Sequence, residues 1–496
     1  MQIIPPWALL LIVLGYFLLL IVVGYFTSRG ADNEDFFIAG RKSKWYLVAF
    51  GMIGASLSGV TLISIPGNVG ANGVNQDFSY LQIVFGYLLG YAVIALVLMP
   101  IYYRYNLTSI YGYLEQRLGW HAYKTGAAYF LLSRLLGSSL RLYLVAIVLQ
   151  QFILGPMGVP FWLTTLVTLA LIWTYTYKGG IKTIVYTDTL QTVFLLGAVI
   201  ATILTIGWQL EKNIGDLIGM VYQSEYSQVF FFKGGWADPN NFFKQFFSGA
   251  LITIVMTGLD QDMMQKNLSC RNIQEAQKNM FTFSGILLFA NILFLTMGAL
   301  LYLYAANIGL DVPERTDQLF PLIAFNHLPA IGAVFFVLGL IAAAYSSADS
   351  TLTALTTSFC VDFLNMEKNQ RDDAENKRTR MWVHIGFSLI MALLIIVINA
   401  VNSDAVINKV FEWAGYTYGP LLGLFVFGIA TRRQVSGPLV IAICLATPII
   451  SYILNANSAE WFAGFKFGFL IIALNGLLTF LGLLAISKPG ETQQSY

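Results

Sequence analysis

The sequence predicts an all-α polytopic membrane protein, and three observations carry that reading. Of 496 residues, 57% are hydrophobic and only 11% are charged, with a mean hydropathy of +0.68; a soluble domain carries about a quarter charged residues. The deficit is spread along the whole chain as repeated apolar runs of roughly 20 residues, the length that crosses a hydrocarbon core as a helix. These runs are continuously apolar, as in LLLIVLGYFLLLIVVGYF, whereas membrane-spanning strands alternate apolar and polar residues over about 10 positions.

About 13 spans follow in order. The first, residues 7–26, comes after MQIIPP, which has no basic stretch and no small-residue cleavage site, so it is expected to stay as a helix and not to be removed as a signal peptide. The second, residues 46–68, is interrupted in mid-span by Gly51, Gly54, Ser56, Ser58, Gly59 and Thr61. The third covers 79–103. The fourth, 122–154, carries Arg134 and Arg141, seven apart and so on one face; they either bind an anionic group of a solute or form structural ion pairs with an acid such as Asp260 or Glu412, the second being the simpler reading.

The fifth span is 160–177. Asp188 opens the sixth, 184–208, either as a helix-start residue answering the dipole or as a buried ligand. The seventh, 241–264, is interrupted by Thr253, Thr257, Gly258 and Asp260. The eighth is 277–305. In the ninth, 329–364, Ser346, Asp349, Ser350 and Thr353 share a face, with Ser347 on its flank. Serine hydroxyls there can bond back to carbonyls four residues earlier, which accounts for the serines but not for Asp349. A hard monovalent cation such as sodium, held by oxygen ligands, offsets the cost of that carboxylate. Spans at 382–401, 405–430, 436–455 and 466–486 complete the chain, with Lys409 and Glu412 spaced to pair with each other.

Backbone in hydrocarbon must satisfy itself, so interruptions in a span are tolerated where they line protein or a watery cavity. Small residues that merely let helices approach are the alternative. Both interrupted spans open a group of five, and paired discontinuous helices in corresponding places of two halves point to a transporter site.

Alternate loops collect Arg29, Arg41, Lys42, Lys44, Arg104, Arg117, Lys124, Lys178, Lys182, Lys266, Arg271 and Lys278 on one side, against Lys212, Lys233, Arg315 and Lys466 on the other. That places the N-terminus outside and the C-terminus in the cytoplasm, and a bacterial inner membrane is the simplest location. The hydrophilic segment from Asn365 to Arg380 is expected to be a solvated connector. The outer loops 209–240 and 306–328 are long enough for short helices. A net charge of +2 with no basic domain gives no support to a nucleic-acid partner, and nothing marks an obligate protein partner beyond the lipid bilayer. Cys270, Cys360 and Cys444, like His121, His327 and His384, are scattered, so no disulfide, metal cluster or histidine-based catalysis follows. No acid, base and nucleophile set can be assembled, and the chain is not expected to be an enzyme.

Four segments carry a resemblance: GASLSGVTLISIPG (54–67), GGIKTIVYTDTLQ (179–191), DQDMMQKNLSCRNIQEAQ (260–277) and AAAYSSADSTLTAL (342–355). In them the chain resembles the solute:sodium symporter family, which includes sodium-coupled sugar, proline, sialic acid, iodide and monocarboxylate transporters. The resemblance covers nearly the whole chain. It implies a single transporter domain with the leucine-transporter fold: one extra helix (7–26), two inverted five-helix repeats (46–208 and 241–430) and two C-terminal helices (436–486).

The resemblance also implies a sodium site made by carbonyls of Gly54, Leu57 and Ala343 and hydroxyls of Ser346 and Ser347. A second cation would use Asp188, Ser346, Asp349 and Ser350, and Asp349 stands where a two-sodium member has Ser, so one or two sodium ions are both allowed. The implied solute positions are Ser56, Ser58, Thr61, Tyr87, Gly137, Thr253, Met256, Thr257, Asp260 and Glu412. Met256 and Thr257 replace an aromatic pair that stacks on sugars, Asp260 an amide and Glu412 a Gln; Gly137 falls near a carboxylate-binding Arg of a sialic acid carrier. The small organic solute is therefore left unnamed. The expected activity is sodium-coupled import by alternating access, against three rivals: a proton-coupled or uncoupled carrier using Asp349 or Asp188, a membrane sensor, and a channel.

Overall fold

A computed structural model describes residues 4–367, 372–401, 406–435 and 437–489, apart from the side chains of residue 60 and residues 406–414. Lys409 and Glu412 therefore lie outside the described side chains. Among the described residues, nine helices are long and apolar enough to cross a membrane, two bent pairs each make a further span, and two shorter apolar helices join them. This agrees with the span count expected above.

In chain order the spanning helices are α1 (Pro6–Thr27), the broken pair α2 (Trp45–Ser56) and α3 (Gly59–Asn68), α4 (Tyr80–Val93), α5 (Trp120–Leu149), α6 (Phe161–Thr176) and α7 (Ile181–Gln209). They continue with the second broken pair α8 (Phe242–Thr253) and α9 (Gln261–Leu268), then α10 (Ile273–Asn307), α11 (Ala330–Ser358), α12 (Asp373–Val401), α13 (Val406–Ala430), α14 (Leu439–Ala456) and α15 (Ile471–Ile486). α1 illustrates how an almost wholly apolar helix sorts its faces: Leu9, Val13, Phe17 and Leu20 are buried against neighbours, whereas Leu11 and Leu18 stay exposed, as lipid-facing residues do. α7 lies along α11 and α2, and α4 along α8. The α4–α8 contact is backbone against backbone, because a Cβ at Gly86 would run into the Phe246 carbonyl and one at Gly249 into that of Ile83.

Several expectations need correction. α7 starts at Ile181, so Asp188 sits two turns inside it and is fully buried rather than capping its start. The segment from Asn365 to Arg380 is not a loop throughout: α12 begins at Asp373, with Asp373 and Glu375 in a first turn that favours negative charge. Its Arg380 is buried, with the guanidinium 4.0 Å from the Phe36 ring centroid and donating to Asn33 Oδ1 at 2.7 Å. Lys266, tallied with the cytoplasmic loops, is 1% exposed. The outer loops do carry short helices, Ile214–Gln223 and Leu319–Asn326.

Candidate functional site

Both interrupted spans are broken, and each break has a local cause. α2 stops at Ser56; Leu57 (φ −85°, ψ 79°) and Ser58 (φ −74°, ψ 175°) leave the helical region before α3 begins, and the two pieces bend by 59°. The last carbonyls of α2 thereby lose their intrahelical partners. In the second pair, α8 runs into a π-helical turn at Ile254–Gly258 and the chain re-enters a helix at Asp260 after a bend of 65°. Asp260 caps α9, its Oδ1 accepting from the backbone N–H groups of Asp262 at 3.0 Å and Met263 at 3.4 Å.

α9 reads QDMMQKNL, a composition that belongs in water, yet all eight residues are buried. Most polar groups there are met, although Asp262 Oδ1 and Gln265 Oε1 have no hydrogen-bond partner. Gln261 accepts from the Ile110 N–H at 2.9 Å and donates to the Thr108 carbonyl at 2.7 Å. Gln265 donates to the Phe37 carbonyl and to Thr357 Oγ1. Asp262 pairs with Arg134 and accepts from Thr351 Oγ1 at 3.3 Å. The Lys266 ammonium lies 2.6 Å from Asp188 Oδ2. A buried charge persists only when paired in this way, so α9 is a polar hub that ties α5, α7 and α11 together.

On the other side of Asp188, Oδ1 accepts from Ser346 Oγ at 2.9 Å. Ser346 therefore does not bond back along its own helix, and it reaches across to α7. Gly54 abuts this hydroxyl: a Cβ at Gly54 would lie 3.3 Å from Ser346 Oγ and 2.6 Å from Thr192 Oγ1, which accepts the Gly54 N–H at 2.9 Å. Leu57 and Ala343 are buried on the same two helices. Ser347 Oγ is buried with no hydrogen-bond partner, and so is Asp349 Oδ1, whose companion oxygen accepts from Tyr175 at 2.9 Å. Ser350 is fully buried on the same face. Freed carbonyls beside unengaged hydroxyls, with no nitrogen or sulfur donor, suit an alkali cation.

Of the residues expected to touch solute, Ser56, Ser58, Thr61, Tyr87, Thr253, Met256 and Thr257 line one cavity between the two broken pairs. Its free space of about 100 Å³ for water-sized molecules is several times the roughly 10–15 Å³ that one buried water needs. Gly137 and Asp260 do not line it. Gly137 lies on α5 where a Cβ would meet nothing within 4 Å; the Asp260 carboxylate is already engaged, 3.7 Å from Arg134 and accepting from Tyr418 at 2.5 Å. The Glu412 side chain lies outside the described residues. The cavity adds Tyr80, Tyr91, Arg134, Arg141 and Asn291 to the expected set. Readable signals existed for some of these: Tyr80, Tyr87 and Tyr91 are spaced seven and four apart on one helical face, and Asn291 is an amide at the middle of an apolar span.

Two discontinuous helices crossing at a central polar cavity, with a cation-type oxygen cluster at one break, define a secondary transporter. A family profile described as "SSF: Sodium:solute symporter family" matches residues 36–443, and the chain belongs to that family. It is 25% identical to the sodium/sialic acid symporter NanT of Aliivibrio fischeri, over 90% of this chain and 87% of that one. It is 23% identical to the sodium/sialic acid symporter SiaT of Proteus mirabilis, over 90% and 89%. The substrate-bound, outward-open structure of a Na+-coupled sialic acid symporter superposes with a TM-score of 0.81 at 21% identity, covering 98% of this chain and 99% of that one. Mhp1, a nucleobase-cation-symport-1 family transporter in a closed conformation, shares the architecture more distantly, with a TM-score of 0.55. The fold is the leucine-transporter fold, and the protein is an integral multi-pass membrane transporter that couples solute movement to sodium.

Proposed function

We propose that this chain imports a small organic solute together with one sodium ion held by the carbonyls of Gly54, Leu57 and Ala343 and the hydroxyls of Ser346 and Ser347. The carrying observation is the buried, unpartnered Ser347 hydroxyl next to the break in α2. A buried hydroxyl left unmatched costs roughly 1–3 kcal/mol, and a bound cation removes that cost. The ion bridges α2 to α11, stabilises the outward-open form and completes the solute cavity at Ser56 and Ser58.

The place read from sequence as a second cation site is served differently. Asp188 already has the Lys266 ammonium on one oxygen and Ser346 on the other, so a second sodium would have to compete with a tethered cation. This reading assigns one sodium to each cycle.

In this reading residues 46–208 and 241–430 are the two inverted repeats, supported by the matching bends in their first helices. The N-terminus is outside, the C-terminus is in the cytoplasm, the membrane is a bacterial inner membrane, and the protein carries out no covalent chemistry. The test is thermal stability of the purified protein titrated with sodium against choline at constant ionic strength. A sodium-selective rise that Ser346→Ala abolishes supports the site; an equal rise in wild type and variant rejects it.

A further inference from the structure

Arg134 and Arg141 lie on one face of α5 and both reach the central cavity, but their surroundings differ. Arg134 is 3% exposed and held between Asp262 and Asp260. Arg141 has no carboxylate within ion-pair distance among the described residues. Nor does it donate a hydrogen bond within this set, and it is only partly buried, at the wall of the cavity. The second negative charge of the Asp260–Asp262 pair offsets Arg141 only at a distance, and it supplies none of the acceptors that the five guanidinium N–H groups require.

An arginine at membrane depth is held by a carboxylate, by carbonyls or by water in a cavity. Here the water-facing side of Arg141 is the solute space itself. A guanidinium matches a carboxylate with two parallel hydrogen bonds, which a lysine or an amide cannot reproduce. The hydroxyls of Ser56, Ser58, Thr61 and Tyr87 and the amide of Asn291 then face the rest of the solute, and Ile252 and Met256 give it an apolar side.

We propose that the solute is a small organic carboxylate whose anionic group docks bidentately on Arg141, while Arg134 is a structural residue neutralised by Asp262 and Asp260. The proposal rests on the sodium-coupled reading above and names the chemical class that the same cavity accepts. Such a solute balances the charge of the ion that travels with it, so one sodium and one monoanion cross as a neutral pair.

The experiment is thermal stabilisation of the purified full-length protein in sodium or choline, with lactate, gluconate or N-acetylneuraminate and their uncharged counterparts lactamide, glucose and N-acetylmannosamine. The expected result is an added, sodium-dependent rise with at least one carboxylate and with no uncharged counterpart. Arg141→Gln should lower the apparent affinity for that carboxylate at least tenfold, and Arg141→Lys should recover only part of it. The rise produced by sodium alone should persist in both variants, which shows that they are folded. Three results overturn the proposal: a sodium response to which no carboxylate adds, stabilisation by an uncharged member, or equal carboxylate affinity in wild type and Arg141→Gln. If sodium alone gives no rise, the coupling reading fails first and is separated from the solute class by that control.

Discussion

The Lys266 ammonium stands 2.6 Å from the Asp188 carboxylate, with both side chains almost completely removed from solvent. The pair joins the polar hub α9 to α7 beside the candidate sodium ligands. Removing one partner strands a buried charge, a loss of about 3–5 kcal/mol. Lys266→Met should therefore destabilise strongly, and adding Asp188→Asn should recover much of the loss because no unpaired charge remains. Unfolding of the two single variants and the double variant gives the coupling energy directly.

Sodium binding should follow a one-site curve. With Lys266 on Asp188, the sodium dependence of thermal stability and of uptake should have a Hill slope near one in the wild type. A slope near two would place a second ion beside Asp349.

Ser347→Ala removes a buried hydroxyl that has no partner in the folded protein, so stability without sodium should rise by about 1–3 kcal/mol, the cost of leaving that group unmatched. Sodium at about 100 times its dissociation constant should add roughly 2.7 kcal/mol to the wild type. A tenfold weaker site reduces this to about 1.4 kcal/mol at the same concentration. Differential scanning fluorimetry in matched sodium and choline measures both quantities.

Gly54→Ala should cost about 1–3 kcal/mol through overpacking, because the new methyl would lie 2.6 Å from Thr192 Oγ1. Sodium affinity should fall with it, since the same methyl would lie 3.3 Å from Ser346 Oγ and crowd the end of α2 against that hydroxyl. Combined with Thr192→Ala the cost should be less than the sum of the two single changes, a non-additivity readable in the same assay.

The architecture was legible because hydrocarbon imposes its own rule on sequence: long apolar runs, and glycine, serine and threonine clusters where a helix breaks. Both broken pairs and most of the cavity lining came from that rule together with the family resemblance. α9 was hidden by the same rule. A helix reading QDMMQKNL looks like a cytoplasmic connection, and Lys266 was counted with the loop charges, because a sequence cannot display that Asp188, Arg134, Thr108 and Thr357 converge on it from elsewhere. The sequence offers Asp260 both as a solute contact and as an ion-pair partner for the arginines of α5; the pair with Arg134 is present at 3.7 Å, while the hydrogen bond from Tyr418, on the remote α13, has no signal in the sequence. The difference between Arg134 and Arg141 was equally invisible, since two arginines on one face are equivalent until their neighbours are known.

The glycine contact between α4 and α8 limits how the protein can move. With the backbone at Gly86 pressed on the Phe246 carbonyl and that at Gly249 on Ile83, and with the Gln82 amide donating to Gln245 Oε1 at 2.8 Å between the same helices, the two are locked against sliding. Any hinge that alternates access must therefore pass around this pair and not through it. α4 and α8 form one rigid lever, so tension applied to the first half of the chain is delivered to the second without slack.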